Sequence, residues 1–237
     1  MKKFIITLTK SKFSTSLAKE RITQAKELGI GDIEIFPATD KYDVWQRWCD
    51  EEWFLKNPSM GGGHLSSEIA TFFSHYDLWK KCLELNESIL ILEHDVWFES
   101  NPRLEQFNFF GGDVINLVVP AWGSLDNHKP NINFWKGLPT GLRLRSVCKK
   151  KHDVWGVSNK EEEICNCDQE WLFGAYSYIL TPNGAKKLID DIPNGILPAD
   201  IFISQNKVDI YDYLPHPIIH KNEISFIQKH KKNEWDY

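Results

Sequence analysis

The amino-acid sequence predicts an α/β fold, and three observations carry that expectation. Phe4 to Thr9 is a compact apolar run of the kind a buried strand makes. Ser14 to Leu28 follows with apolar residues at helical spacing (Leu17, Ile22, Ala25, Leu28) and is closed by Gly29. Ile33 to Phe36 is a second strand, ended by Pro37, and strand, helix, strand is how a parallel sheet opens. No glycine-rich phosphate loop follows the first strand, so the usual dinucleotide fingerprint is absent.

The remaining elements follow in order. Asp43 to Lys56 is Trp-rich and helical, stopping before Pro58; Gly61-Gly62-Gly63 is a break. Ser66-Ser67-Glu68 opens a long helix to about Leu85, with Ile69, Phe72, Phe73, Tyr76 and Trp79 along one side. Ser88 to Leu92 is a strongly apolar strand running straight into Glu93-His94-Asp95, and Asp113 to Val119 is another strand. The stretch 120–168 is polar, rich in Gly, Pro and Asn, and lacks a sustained period, so it reads as a long loop insertion within one domain spanning 1–237. Trp171 to Thr181 reads as a strand, and a helix over Pro182 to Asp191 has proline at its start. Ala199 to Gln205 reads as a helix and Asp209 to Leu214 as a last strand.

Bulk properties narrow the classes. With 237 residues, 42% hydrophobic and 26% charged, the chain is an ordinary globular protein with a sizeable core. A net charge of −5 does not favour nucleic acid or anionic membrane as a global partner. No apolar run reaches the length of a membrane span, and Phe4 to Thr9 is too short for a signal peptide. Five cysteines, an odd count without secretory context, suggest reduced thiols and a cytoplasmic protein. Ten tryptophans are unusual and suit platforms for sugar rings or bases as well as a core.

The chemistry concentrates at Glu93-His94-Asp95. In open α/β sheets ligands bind outside the carboxyl ends of strands, and alternation sends Glu93 and Asp95 to the same side. Two such carboxylates suit a hard divalent cation, Mg²⁺ or Mn²⁺, shared with a diphosphate. The competing reading is a solvated strand end.

Context separates the two. Glu68-Ile69-Ala70-Thr71-Phe72-Phe73-Ser74-His75-Tyr76-Asp77-Leu78-Trp79 resembles the helix motif of the family 25 glycosyltransferases, which include lipooligosaccharide and collagen galactosyltransferases. Ala70-Thr71 and Phe73 depart from the family's Gly-Cys and Leu. Leu92-Glu93-His94-Asp95-Val96 is similar to its Glu-Asp-Asp-Val strand end, with His94 in place of the middle aspartate. Ala175 to Thr181, Gly184-Ala185-Lys186-Lys187-Leu188 and Pro198-Ala199-Asp200 resemble later family blocks, and the amino terminus agrees through its first strand, Arg21 and Pro37-Ala38-Thr39-Asp40.

The resemblance implies a GT-A-like, Rossmann-like mixed sheet flanked by helices, a UDP-sugar donor, and transfer of a hexose to a glycan or other hydroxyl acceptor, usually with inversion. It implies Asp95 as the first metal ligand, Glu93 as a helper, and a carboxy-terminal histidine, His216 or His220, completing the shell. Donor contacts are implied at Thr7, Leu8, Arg21, Thr39, Asp40, Ser74, His75 and Glu93; His75 could equally be a satisfied core histidine, and Arg21 an exposed helix residue. The general base would be Asp168 or Glu170, just before a predicted strand, or Asp200; each could instead cap a helix or pair with lysine.

Two features of the insertion stand apart. Arg143, Arg145, Lys149, Lys150, Lys151 and His152 form a basic cluster near Trp122, Trp135 and Trp155, which could dock an anionic acceptor or could be a solvated loop. Cys148, His152, Cys165 and Cys167 offer four soft ligands for Zn²⁺, or remain free thiols. Two further functional readings stay open. One is a transferase acting on modified bases in DNA, suited to a phage-encoded enzyme in the host cytoplasm. The other is a non-catalytic carbohydrate- or nucleic-acid-binding protein on the same fold. Nothing in the pattern selects a sugar, an acceptor or an oligomeric state.

Overall fold

The structure is a computed structural model that describes residues 1–51, 53–54, 65–108, 110–118, 140–145, 171–172 and 174–220. Strand β1 (Lys2–Thr7) leads to α1 (Lys12–Glu27) and β2 (Glu34–Pro37), and α2 (Val44–Glu51) precedes α3 (Leu65–Leu85). Next come β3 (Ile89–Glu93), β4 (Val96–Phe98), β5 (Val114–Asn116), β6 (Gly141–Leu144) and β7 (Ser177–Leu180). Helices α4 (Pro182–Asp191) and α5 (Ala199–Phe202) are followed by β8 (Ile210–Leu214) and β9 (Ile218–His220).

Seven strands form one sheet in the order β2-β1-β3-β7-β5-β8-β6, and β4 pairs with β9 in a second, two-stranded sheet. The pairs β2–β1, β1–β3 and β5–β8 are parallel, while β7 runs antiparallel to both β3 and β5. Strands β1, β2, β3, β5 and β8 therefore end at one edge of the sheet. This is the α/β mixed sheet, flanked by helices, that the sequence predicts.

Each face of the sheet has its own core. On one, Phe72, Leu78 and Trp79 of α3, Ala185 and Leu188 of α4, and Phe202 of α5 pack against Ile89, Ile91 and Tyr178. On the other, Ala18 and Ala25 of α1 join Leu104, Phe107, Ile5, Leu90 and Leu92. Ile89 to Leu92 are fully buried on both faces, which is why β3 reads as continuous apolar sequence rather than alternation. Burying each such side chain contributes roughly 1.5–3 kcal/mol. Helix starts are locally encoded: Ser11 Oγ accepts from the Ser14 N–H at 3.3 Å, and Thr181 Oγ1 accepts from the Gly184 N–H at 3.1 Å ahead of Pro182. Gly184 is where α4 meets the sheet: a Cβ there would lie 2.6 Å from the Asp113 carbonyl oxygen.

Several boundaries differ from expectation. The Asp43–Lys56 helix begins at Val44 and ends at Glu51, and the Ala199–Gln205 helix is one turn, Ala199–Phe202. Only Ser177–Leu180 of the predicted Trp171–Thr181 strand is in the sheet. The preceding residues turn through Gly174 and Ala175 at φ +77° and +40°, a left-handed backbone that cannot continue a strand. After Asn116 the chain peels away, so that Val118 bridges Ile218 instead. The 120–168 stretch is not loop throughout, because Gly141–Leu144 forms the edge strand β6, antiparallel to β8. Apart from residues 140–145, that stretch lies outside the described residues. Among the described residues no helix is long and apolar enough to cross a membrane.

Candidate active site

Strand β3 delivers Glu93 to the common carboxyl edge, and His94 and Asp95 form the turn into β4. Strand β9 runs back beside β4 with Val96 opposite His220, which brings the two ends of the site together. His220 Nε2 lies 3.3 Å from Asp95 Oδ2, and its ring stacks on Tyr176 at 4.0 Å. Both partners are nearly buried, with side chains 9% and 8% exposed. Among the described residues, Asp95 Oδ1 and His220 Nδ1 are buried without a hydrogen-bond partner.

The two carboxylates differ in character. Burial, then the Asp95 charge, pushes Glu93 up to about 8. Asp95 also meets a burial penalty, but the His220 hydrogen bond and the nearby His94 and His220 rings outweigh it and hold Asp95 below its ordinary value. Asp200 joins the cluster electrostatically: it raises Glu93, feels His75, and accepts the Gly174 N–H at 3.2 Å. Burial holds its carboxyl above the usual range. Glu93 and Asp95 are thus joined by Asp200 and His220, more than a hundred residues later, in one acidic site.

Asp95 and Glu93 suit a hard divalent cation in charge and in oxygen chemistry, and the orphan Asp95 Oδ1 is an acceptor that folding leaves unused. The side chains are not set out as a finished cage: among the described residues no group of three or more His, Cys, Asp or Glu is placed to hold a metal. His220 faces Asp95, whereas His216 sits elsewhere, 3.5 Å from Asn116 and 3.7 Å from Asp212. Of the two histidines, His220 is therefore the one beside Asp95.

The donor candidates divide into three groups. Leu8, Thr39 and Asp40 line a cavity of about 530 Å³ beyond the ends of β1 and β2, together with Lys10, Tyr42 and Arg47. Thr7, Ser74 and His75 are buried beneath that edge and support it rather than face it. Thr7 Oγ1 donates to the Ile5 carbonyl, and Ser74 Oγ accepts from the Thr39 N–H at 2.9 Å while donating to Ala70. Arg47 Nη1 donates to Thr39 Oγ1 at 3.2 Å and pairs with Asp77, so Thr39 is clamped from two helices. Arg21 is on the far face, 2% exposed, with its guanidinium 4.1 Å over the Trp97 ring.

One acceptor candidate is corrected. Arg145 is not a surface cation: it is 4% exposed, and its Nε and Nη2 donate to the two oxygens of Asp212 at 2.8 and 2.7 Å. Its Nη1 donates to the Trp171 carbonyl. Arg143, on β6, is half-buried. Trp122, Lys149, Lys150, Trp155, the base candidates Asp168 and Glu170, and the zinc candidates Cys148, His152, Cys165 and Cys167 lie outside the described residues.

Sequence reasoning missed Tyr176. The signal was its place just before β7, but the turn that aims it depends on Gly174. A Cβ at Gly174 would collide with the Tyr176 ring, and its φ of +77° already disfavours a side chain. Gly174→Ala is therefore expected to displace Tyr176 from His220 and cost roughly 1–3 kcal/mol. Chemical denaturation together with the His220 ring resonances checks this.

Residues 1–203 match the family model described as Glycosyltransferase family 25 (LPS biosynthesis protein). A Glycosyltransferase 25 family member of Anopheles gambiae is 27% identical over 227 residues, covering 86% of this chain and 33% of that protein. Procollagen galactosyltransferase 1-B of Xenopus laevis is 29% identical over 165 residues, covering 68% of this chain and 24% of the relative. The chain thus spans a third or less of the length of these curated relatives. Among solved structures, apo mouse xyloside xylosyltransferase 1 aligns with TM-score 0.38 and 14% identity over 93% of this chain and 83% of that one.

Proposed function

The chain belongs to glycosyltransferase family 25, and on that premise we propose that it moves a hexose from a UDP-sugar to an acceptor hydroxyl, with inversion, using Mn²⁺ or Mg²⁺ held at Asp95. The observation that carries this reading is the pairing of Asp95 with His220 beside Glu93, at the edge where five strands end and the Leu8–Thr39–Asp40 cavity opens. The relatives named as procollagen galactosyltransferases make galactose the first sugar to test.

When bound, the cation offsets charge developing on the leaving diphosphate. Asp95, ionised and with Oδ1 unused among the described residues, would hold the cation, Glu93 would lend a second oxygen once ionised, and His220 orients Asp95. Leu8, Thr39 and Asp40 border the space for the nucleoside, and the Ser74 and Arg47 bonds hold Thr39 in place. Asp200, held above its usual range, is the described carboxylate best suited to take the acceptor proton, a step worth ~10²–10⁴-fold. Asp168 and Glu170, a few residues before Trp171, are its rivals for that role.

A panel of nucleotide-sugars tested by thermal shift with and without Mn²⁺ checks the reading. UDP-hexoses with Mn²⁺ are expected to stabilise the protein by about 2.7 kcal/mol at a hundred times the dissociation constant, and GDP- or ADP-sugars are not. A flat response across the panel, with no UDP released in the presence of acceptor, would sink the proposal.

A further inference from the structure

Beneath Glu93, three fully buried side chains form a line of hydrogen bonds that the chemistry above does not use. Trp79 Nε1 donates to Tyr178 Oη at 3.0 Å, Tyr178 Oη lies 2.8 Å from His75 Nδ1, and His75 Nε2 lies 3.4 Å from Glu93 Oε1. Trp79, Tyr178 and His75 are each 0% exposed, so bulk water does not reach these partners. We propose that Trp79 and Tyr178 act as positioning residues that lock His75 in its Nε2–H tautomer, so that it presents a donor to Glu93 Oε1.

The assignment follows from counting protons. An indole N–H only donates, so Trp79 takes one lone pair of the Tyr178 oxygen. The phenol then has one proton to give and one lone pair left. If His75 carried its proton on Nδ1, Tyr178 would receive two donors, and its own proton would have no acceptor in the line. A buried unsatisfied donor of that kind costs about 1–3 kcal/mol. With the Tyr178 proton on His75 Nδ1 instead, every group is matched. The ring's single proton is then on Nε2, facing Glu93.

Two supporting facts agree. Burial lowers His75 to about 4, which leaves one proton on the ring at neutral pH, and burial raises Tyr178, which keeps it a phenol. Packing holds the line rigid: Trp79 stacks on Phe202 at 5.8 Å with 18° between planes, and His75 stacks on Tyr178 at 5.8 Å with 21°. The indole N–H of Trp79 ties this packing to the Tyr178 oxygen. The line starts on α3 and crosses β7, so it couples the orientation of Glu93 to the helix core. A histidine that merely filled space would need no fixed tautomer.

The functional consequence rests on the proposed role of Glu93; the tautomer does not. Long-range ¹H–¹⁵N correlation spectra of the full chain at pH 7, without cation, are expected to show His75 protonated at Nε2, with the signals assigned by their loss in His75→Gln. An Nδ1–H pattern in the wild type overturns the proposal. In Tyr178→Phe the unprotonated Nδ1 is expected to resonate further downfield as it loses the phenol's proton, and the Mn²⁺ dissociation constant measured by calorimetry is expected to rise about 10-fold. An unchanged Nδ1 shift in folded Tyr178→Phe overturns the proposal as well. Should that variant not fold, the wild-type pattern decides alone. Failure of the transferase reading shows separately, as no Mn²⁺ or UDP-sugar binding by a wild type whose His75 tautomer is as stated.

Discussion

Asp95→Asn is expected to lower sugar transfer by roughly 10³-fold or more while the protein stays folded, because it removes several kcal/mol of charge stabilisation and almost no volume. Asparagine can still meet His220, so the β4–β9 pairing survives. The substitution also removes one of the two charges that burial forces together beside Glu93. The unliganded variant is thus expected to be as stable as the wild type or more so, with its Mn²⁺-dependent stabilisation gone, the usual trade between stability and function. Transfer within tenfold of wild type would remove Asp95 from the mechanism. A non-catalytic carbohydrate-binding protein would show no transfer in either form.

The same site fixes a pH dependence. Glu93 titrates at about 8 in the folded chain and near 4.5 as a free carboxyl, so its protonated form favours folding. That contribution is complete below about pH 4.5 and is lost as pH rises through about 8. A bound cation requires the ionised carboxyl, so stabilisation by Mn²⁺ is expected to grow from pH 6 to pH 8. Thermal shifts at fixed Mn²⁺ across that window check the sign.

The second large effect is structural. Arg145→Met is expected to destabilise the protein by about 3–5 kcal/mol, because it leaves the fully buried Asp212 charge without its guanidinium. That corresponds to a midpoint lower by roughly 6–20 °C for a chain of this size. Burial alone would raise Asp212, but the Arg145 charge and hydrogen bonds from His216, Arg145 and Asn116 outweigh it and hold the carboxyl well below the usual range. The stability it contributes is present above its unfolded value, about 3.9, and is lost as pH falls towards the depressed one. The double variant Arg145→Met with Asp212→Leu removes both charges and is expected to recover most of the loss. If it is no better than Arg145→Met, charge pairing is not the cause.

This pair also shows where sequence reading stops. Elements whose signals are local were legible: the helical spacing of α1 and α3, the Thr181–Pro182 start of α4, and the apolar run of β3. So was the acidic centre, since Glu93 and Asp95 are joined to one strand end. Arg145 was read as part of a basic loop because its partner stands 67 residues later, and no local period reports a contact of that separation. Its edge strand was hidden for the same reason, since Leu142 and Leu144 remain exposed and the segment has little apolar pattern to show. The Trp171–Thr181 strand was overextended because aromatic and β-branched composition cannot announce the left-handed turn at Gly174 and Ala175. Ser74 and His75 were placed correctly by motif, yet their side chains turn inward, a distinction that depends on what packs over the helix.

The bond from Arg145 to the Trp171 carbonyl joins positions 26 apart in sequence, so the two ends of that interval meet at one point. Closing a segment whose ends already meet costs little more as it lengthens, about 0.6 kcal/mol per doubling. The two positions thus act as a clasp, and a change in the number of residues between them is expected to cost the fold little.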